Sequence, residues 1–394
     1  MEEKVIKIVN EARWADGLRV RNRLEDITYD PMRSQEEFVM RMMRENDKTA
    51  YGQQHGFDTI RSLDDFKQRI PLTTYDDYVP YIERIVNGEK NVLTTYQTEY
   101  LSTQSDGKRL PQSRWGVQAS YDYNFCSGFY IAGQHGFLTD GMTLNLVDNS
   151  LERLPSEVRV GNLLGRLLVK REFDNDQVYV IPVDVDNSPE RSDTIYLRAL
   201  FALRQQNISM AICERYDNML DLLRYIEKQW SWLADEIEKG NRYFRPDVNR
   251  ANTIRNVMKE HHVGTQLLPY LWPRLHSVLI YDIDSIGPSF ELLRTYCGND
   301  VHYIFTGIST AEGTFSTVLN LDDPQTVLIP DSVFYEFKPK EDEDYDHLLT
   351  LDQLEIGKRY EMVVTTLSGL YRYITKMTLL VVGCYHDTPT VIVT

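Results

Sequence analysis

Apolar positions in the first fifty residues recur at helical spacing. Phe38, Met42 and Met43 share one face of an otherwise charged segment, so residues 1–50 are predicted to form a layer of two or three amphipathic helices. The stretch "SLDDFKQR" at 62–69 opens on a Ser positioned to cap a helix, with acidic residues in the first turn, and Pro71 closes it. A second helix follows from Tyr75 to Val86, ended by Asn87-Gly88, which supplies the left-handed residue that helix ends favour. The clearest helix is 218–240, where apolar residues fall at i, i+3, i+4 and i+7 and Gly240 marks the stop.

Short β-branched runs alternate with helices in the rest of the chain. They lie at 177–185, 208–213, 277–283, 301–307 and 326–330, the pattern of a mainly parallel sheet covered by helices and hence of an α/β fold. The acidic stretch at 338–346 reads as a solvated loop before another antiparallel piece. No internal repeat or low-complexity linker divides the 394 residues, so a single domain with a helical N-terminal layer is expected.

Charge narrows the partners. With 43 Lys plus Arg against 59 Asp plus Glu, the formal charge of −16 repels phosphate backbones and anionic lipid, so neither nucleic acid nor membrane is expected as a partner. Cys126, Cys213, Cys297 and Cys384 lie far apart without a CxxC pair, which speaks against a disulfide framework or a zinc knuckle. The histidines are scattered and His261-His262 diverge on a helix, so no metal site is expected. No apolar window is long enough to span a membrane and the N-terminus lacks a signal pattern; a cytoplasmic protein is the expectation.

Several stretches are collinear with one known family. "NDKTAYGQQHGF", "FKQRIPLTTYDDYVPYIERIVNGEKNVLTT", "LRYIEKQWSWLADEIEKG", "LWPRLHSVLIYDIDS", "TAEGTF", "FYEFKP" and "LYRY" followed by "VVG" and "TP" span residues 46–389. In order and spacing they resemble the GH3 family, acyl acid amido synthetases built on the adenylate-forming fold. The resemblance implies the large N-terminal part of that fold, with mixed sheets under helices. It also implies a two-step reaction in which a carboxylic acid attacks ATP and an amine then displaces AMP.

The same resemblance assigns three nucleotide motifs, and each departs from the family pattern here. The Ser/Thr/Gly-rich phosphate loop corresponds to "STQSDGKRLP", residues 102–111: Ser102, Thr103, Ser105 and Lys108 are its vestigial counterparts, but Asp106 brings negative charge toward the phosphates. The adenine and metal motif corresponds to "ISTAEG", with Thr310 and Ala311 as counterparts and Glu312 retained at the end of a predicted strand, where open α/β sheets place their ligands. The ribose motif keeps Tyr371 and Arg372, yet Met377 stands where a carboxylate accepts both ribose hydroxyls. A thioether is at best a weak acceptor, a loss of about 2–4 kcal/mol. The chain ends "TPTVIVT", so the family's C-terminal lid is expected to be absent, with Thr388-Pro389 at the hinge.

These departures imply that ATP is no longer used and that no cofactor is required; ATP and magnesium enter only if the chain is still a ligase. The acyl site of the resemblance falls on 113–133, where Arg114, Trp115, Tyr121, Tyr123, Phe125 and Phe129 suit a flat apolar ligand with an anionic group, although a helix core accounts for the same aromatics. Three functions stand open. The first is a repurposed enzyme that binds a hydrophobic small molecule in the old acyl-adenylate cleft and promotes an ATP-independent cyclisation or isomerisation, with Glu312 as acid or base and Tyr371 and Arg372 orienting the substrate. The second is a non-catalytic ligand-binding protein, with a protein partner possible; the third is an active amido synthetase.

Overall fold

The computed structural model describes residues 2–104, 106–147, 151–161, 178–182, 194–261, 266–281 and 288–394. Helix α1 (Glu2–Tyr29) turns at Asp30 into α2 (Pro31–Asn46), which starts on a proline and is capped by the Asp30 carboxylate accepting from Arg33 N at 3.1 Å. Phe38, Val39, Met42 and Met43 are buried on its inner face. After the short α3 (Ala50–Gln54), Ser62 caps α4 (Leu63–Arg69), and α5 (Tyr75–Val86) opens with a capping box in which Asp77 accepts from Thr74 N at 2.7 Å. Asn87 follows as its end residue, with Gly88 at φ +88°. The helix expected over 218–240 runs Tyr216–Lys239 and stops where expected. A Cβ on Gly240 would lie 2.6 Å from Pro246 N, so the glycine is required for close approach as well as for its φ of +72°.

Four strands form the parallel sheet, in the order β3 (Met142–Asn145), β6 (Ile208–Cys213), β7 (Ser277–Ile280) and β8 (His302–Phe305), with Ala211 opposite Val278 and Val278 opposite Tyr303. The expectation of a mainly parallel sheet needs correction, because the largest sheet is antiparallel. Its six strands run β11 (Ser316–Val318), β12 (Thr326–Leu328), β16 (Thr388–Val393), β15 (Tyr373–Tyr385), β14 (Arg359–Thr366) and β13 (Val333–Pro339). β13 and β14 are buried at nearly every position and so lack the apolar-polar alternation of an antiparallel strand with one solvated face.

Boundaries shift in three places. The run at 277–283 ends as a strand at Ile280, and residues 282–283 lie outside the described residues. Of 177–185, only 178–182 are described, with Tyr179 bridging to Thr143. Thr388 and Pro389, expected at a hinge, are instead the first residues of β16, paired with Tyr385 and Cys384. Thr388 is fully buried and donates to Thr28 O on α1 at 3.1 Å, which anchors the segment. A third sheet, also of four strands, carries β1 (Thr98–Thr103) and β2 (Arg109–Ser113), joined by the loop at 104–108. Among the described residues no helix is long and apolar enough to cross a membrane.

Candidate functional site

The chain leaves β8 at the carboxyl end of the parallel sheet and passes through Thr306 and Gly307. A Cβ on Gly307 would sit 2.1 Å from Ser316 O, so only glycine lets this turn pack against β11. It then forms a two-stranded hairpin, β9 (Ser309–Thr310) and β10 (Gly313–Thr314), whose turn is Ala311-Glu312. Glu312 is therefore held at the ligand end of the sheet, as its sequence position implies.

Its carboxylate is buried, at 5% exposure, and both oxygens are engaged. Oε1 accepts from Gln104 Nε2 at 2.6 Å and Oε2 from Thr310 Oγ1 at 2.5 Å. Burial raises its pKa above the ordinary carboxylate value and the charge of Asp106 adds to this, while the bonds from Thr310 and Gln104 act in the opposite sense. Desolvation prevails, so Glu312 is a carboxyl inclined to keep a proton.

The hairpin of β1 and β2 delivers Gln104. Gln104 N donates to Lys108 O at 2.8 Å, closing the loop, and Gln112 on β2 donates to Ala311 O at 2.6 Å, tying this hairpin to the Glu312 turn. Within the loop Lys108 Nζ pairs with Asp106 at 2.7 Å and lies over the Tyr75 ring at 5.4 Å. Each partner favours the other's charge, lowering the Asp106 pKa and raising that of Lys108. Ser102 is buried on β1, Thr103 is exposed at its end, and Ser105 lies outside the described residues.

Behind the turn, Asn124 organises a buried set of hydroxyls. Its Nδ2 donates to Thr314 Oγ1 and to Ser120 O, both at 2.9 Å, and its Oδ1 accepts from Ser309 at 3.0 Å and Thr306 at 3.3 Å. Asn124 belongs to a π-helical segment, Tyr121–Cys126, between α6 (Arg114–Ser120) and α7 (Ser127–Gln134). Such segments are rare and often occur at functional sites. Tyr373, on β15, completes the surroundings: burial first, then the charges of Glu312 and Asp106, push its phenol above the ordinary value.

Two of the three residues assigned to catalysis are placed elsewhere. Tyr371 is fully buried, stacked on Tyr51 at 4.9 Å and edge-on to Phe57, with its hydroxyl donating to Leu93 O at 2.9 Å. Arg372 makes a bidentate pair with buried Glu336 at 2.7 and 2.8 Å, and its Nη1 donates to Lys67 O and Ile70 O at the end of α4. Every bond of these side chains joins core elements, so their role here is architectural. The hydrogen-bonding capacity expected for a substrate is spent on the fold.

The aromatic residues of 113–133 receive the same correction. Tyr123, Phe125 and Phe129 are fully buried and Tyr121 nearly so, in the core between α1 and the parallel sheet: Phe125 packs on Tyr281 at 4.7 Å, and Arg13 of α1 lies over Phe129. Tyr123 donates to Asp331 at 2.9 Å. Arg114 and Trp115 face outward from the start of α6, Trp115 at 49% exposure. A helix sandwiched between α1 and a sheet needs apolar residues around its circumference, which accounts for the aromatic density.

Sequence reasoning missed Gln104, Asn124 and Tyr373. Gln104 stands with Thr103 where the resemblance expects Gly-Thr, and the one available signal for Asn124 was a lone amide within an aromatic run. Met377 follows Lys376, at φ +62°, in a bulge of β15 opposite Met362, and its side chain packs partly against the core. Among the described residues no group of three or more His, Cys, Asp or Glu is arranged to hold a metal ion.

Comparison with known proteins accords with this architecture. Residues 20–302 match the GH3 family N-terminal domain and residues 326–394 the GH3 family central domain. The chain is 23% identical to a jasmonoyl--L-amino acid synthetase, JAR4, of Nicotiana attenuata, over 97% of this chain and 72% of that protein. It is 23% identical to the 4-substituted benzoates-glutamate ligase GH3.12 of Arabidopsis thaliana, over 93% of this chain and 69% of that protein. Among solved structures it resembles the GH3.15 acyl acid amido synthetase at a TM-score of 0.81 and 20% identity, over 94% of this chain and 70% of that one. A complex of the same enzyme with 2,4-DB matches at 0.83 and 19% identity, over 96% and 70%.

Proposed function

Because the chain belongs to the GH3 family, we propose that it recognises a small hydrophobic carboxylic acid at the carboxyl end of the parallel sheet and acts on it without forming an adenylate. In this reading Glu312 supplies or removes a proton in a cyclisation or isomerisation. One observation carries the proposal: Glu312 is buried with its pKa raised, and Gln104 and Thr310 occupy both of its oxygens. A metal ion carrying nucleotide needs a charged, open carboxylate, whereas a general acid needs a carboxyl that keeps its proton toward neutral pH. Lys108, neutralised by Asp106, and Met377 add support, since neither offers what triphosphate and ribose require. These residues do not fit a magnesium nucleotide.

The relatives motivate the substrate class: their names carry benzoates, jasmonate and indole-3-acetate, all apolar carboxylic acids. They also favour a second reading, an ATP-dependent amido synthetase, because the similarity runs over nearly the whole chain and keeps Glu312 and Lys108 in their motifs. Titration calorimetry with a panel of such acids, and separately with ATP and magnesium, decides between the two. The expected result is micromolar binding of at least one acid and no nucleotide binding in that range. Acid-dependent release of pyrophosphate from ATP would put the synthetase first. Acid binding with no turnover in any product assay would leave a ligand-binding protein.

A further inference from the structure

A second concave site lies on the opposite chemistry. Where α1 turns into α2, the two helices and Asp331 enclose a groove of about 700 Å³, within the size range of small-molecule sites. Four guanidinium groups line it, those of Arg23, Arg33, Arg41 and Arg44, with Ile27 and Met40 as apolar walls. In a chain of formal charge −16, so many arginines around one groove depart from the general surface.

The acids in the groove do not cancel them. Asp331 is consumed, its Oδ2 accepting from Arg23 Nε at 2.5 Å and its Oδ1 from Tyr123 and Ser332 at 2.9 and 2.8 Å. Glu37 pairs with Arg33 at 2.9 Å. Of the lining acids only Glu36 is left outside these pairs, and neither Arg41 nor Arg44 forms an ion pair among the described residues. Arg41 is nevertheless held in place: its guanidinium lies over the Phe38 ring at 5.7 Å and donates to Asp331 O at 3.4 Å. Arg41 and Arg44 are three residues apart on α2, so they lie on one helix face and can converge on a single ligand. A planar fork fixed by stacking, beside a second unpaired guanidinium, matches an anionic group with several acceptor oxygens.

We propose that this groove binds a phosphorylated small molecule, with its phosphate on Arg41 and Arg44 and its organic part along Ile27 and Met40. The site is separate from Glu312 and does not depend on the function proposed for it. Phenyl phosphate and inorganic phosphate, titrated into the full chain at low and high salt, provide the test. Phenyl phosphate is expected to bind more tightly than inorganic phosphate, because only it uses the apolar walls, and to weaken as salt rises. Arg41→Ala with Arg44→Ala should reduce its affinity about 10- to 100-fold, as expected for lost hydrogen bonds to a charged group, whereas Glu312→Gln should leave it unchanged. Arg44→Gln alone, at an exposed position, guards against misfolding and should cost several-fold. Equal affinities for the two phosphates would overturn the organic-ligand assignment, and binding insensitive to both arginine variants would overturn the site.

Discussion

The turn at Glu312 and the segment Tyr371-Arg372 both lie in stretches shared with the same family, yet the structure treats them in opposite ways. Glu312 sits on a two-residue turn beyond the sheet, reached by polar side chains from another hairpin. Tyr371 and Arg372 are locked among core elements, and Arg372 adopts φ +48°, a conformation that few side chains tolerate without tertiary support. Resemblance of motif thus says nothing about availability. Arg372 is tied at once to Glu336, Lys67 and Ile70 and contributes stability, whereas Glu312, held only by Gln104 and Thr310 at the end of a sheet and with a raised pKa, is placed to contribute chemistry.

The largest effect that separates the two regions should come from Arg372→Ala. It strands the Glu336 carboxylate, 1% exposed, without its partner and leaves the carbonyls of Lys67 and Ile70 unpaired. The expected loss is about 3–5 kcal/mol by urea denaturation. Tyr371→Ala opens a cavity among Tyr51, Phe57 and Tyr78, with a comparable loss. A stable, fully folded Arg372→Ala protein with altered ligand affinity would reverse the comparison.

Glu312→Gln should act on chemistry instead. Turnover of a bound acid is expected to fall about 10²- to 10⁴-fold with affinity retained, as read by steady-state kinetics beside calorimetry. Unchanged turnover would move the acid-base role to another residue.

The pH dependence sharpens the contrast further. With its folded pKa raised above the ordinary 4.5, Glu312 contributes stability that is present below that value and is lost as pH rises through the folded pKa. Wild type should therefore lose stability relative to Glu312→Gln as pH rises above 4.5 through the folded pKa. His276, held down to about 4 chiefly by burial and then by Arg274 and His302, works in the other direction. Its contribution is present above the ordinary 6.5 and is lost as pH falls toward 4, so acid unfolding of wild type and of a His276→Gln variant should diverge there.

The smallest effect is expected from Gln104→Ala. Removing a donor to the carboxylate raises the Glu312 pKa further, visible by carbon-detected NMR of labelled glutamate, with a stability change of about 1 kcal/mol.

Local signals in the chain were sufficient for the helices at 62–69, 75–86 and 218–240. Ser62, Thr74, Asn87-Gly88 and Gly240 mark ends because capping and left-handed turns are short-range chemistry. Three of the four strands of the parallel sheet, β6, β7 and β8, were legible as compact apolar runs, β3 was not, and the family motifs located Glu312. Of the antiparallel sheet only β12 and the existence of an antiparallel piece after 338–346 were legible, since β13 and β14, buried at nearly every position, carry no period-two signature.

What the sequence determined by itself is the helices at 62–69, 75–86 and 218–240 and the runs of β6, β7, β8 and β12, consequences of residues within a few positions of one another, while the family resemblance identified the carboxyl beyond β8. What only the tertiary structure decided is who meets whom. Gln104 reaches Glu312 across 208 residues of chain, and Arg372 reaches Lys67 across 305. A hydrogen bond of that span depends on the packing of whole layers, and no local pattern of residues encodes whether a given polar group will be spent inside the fold or left for a ligand.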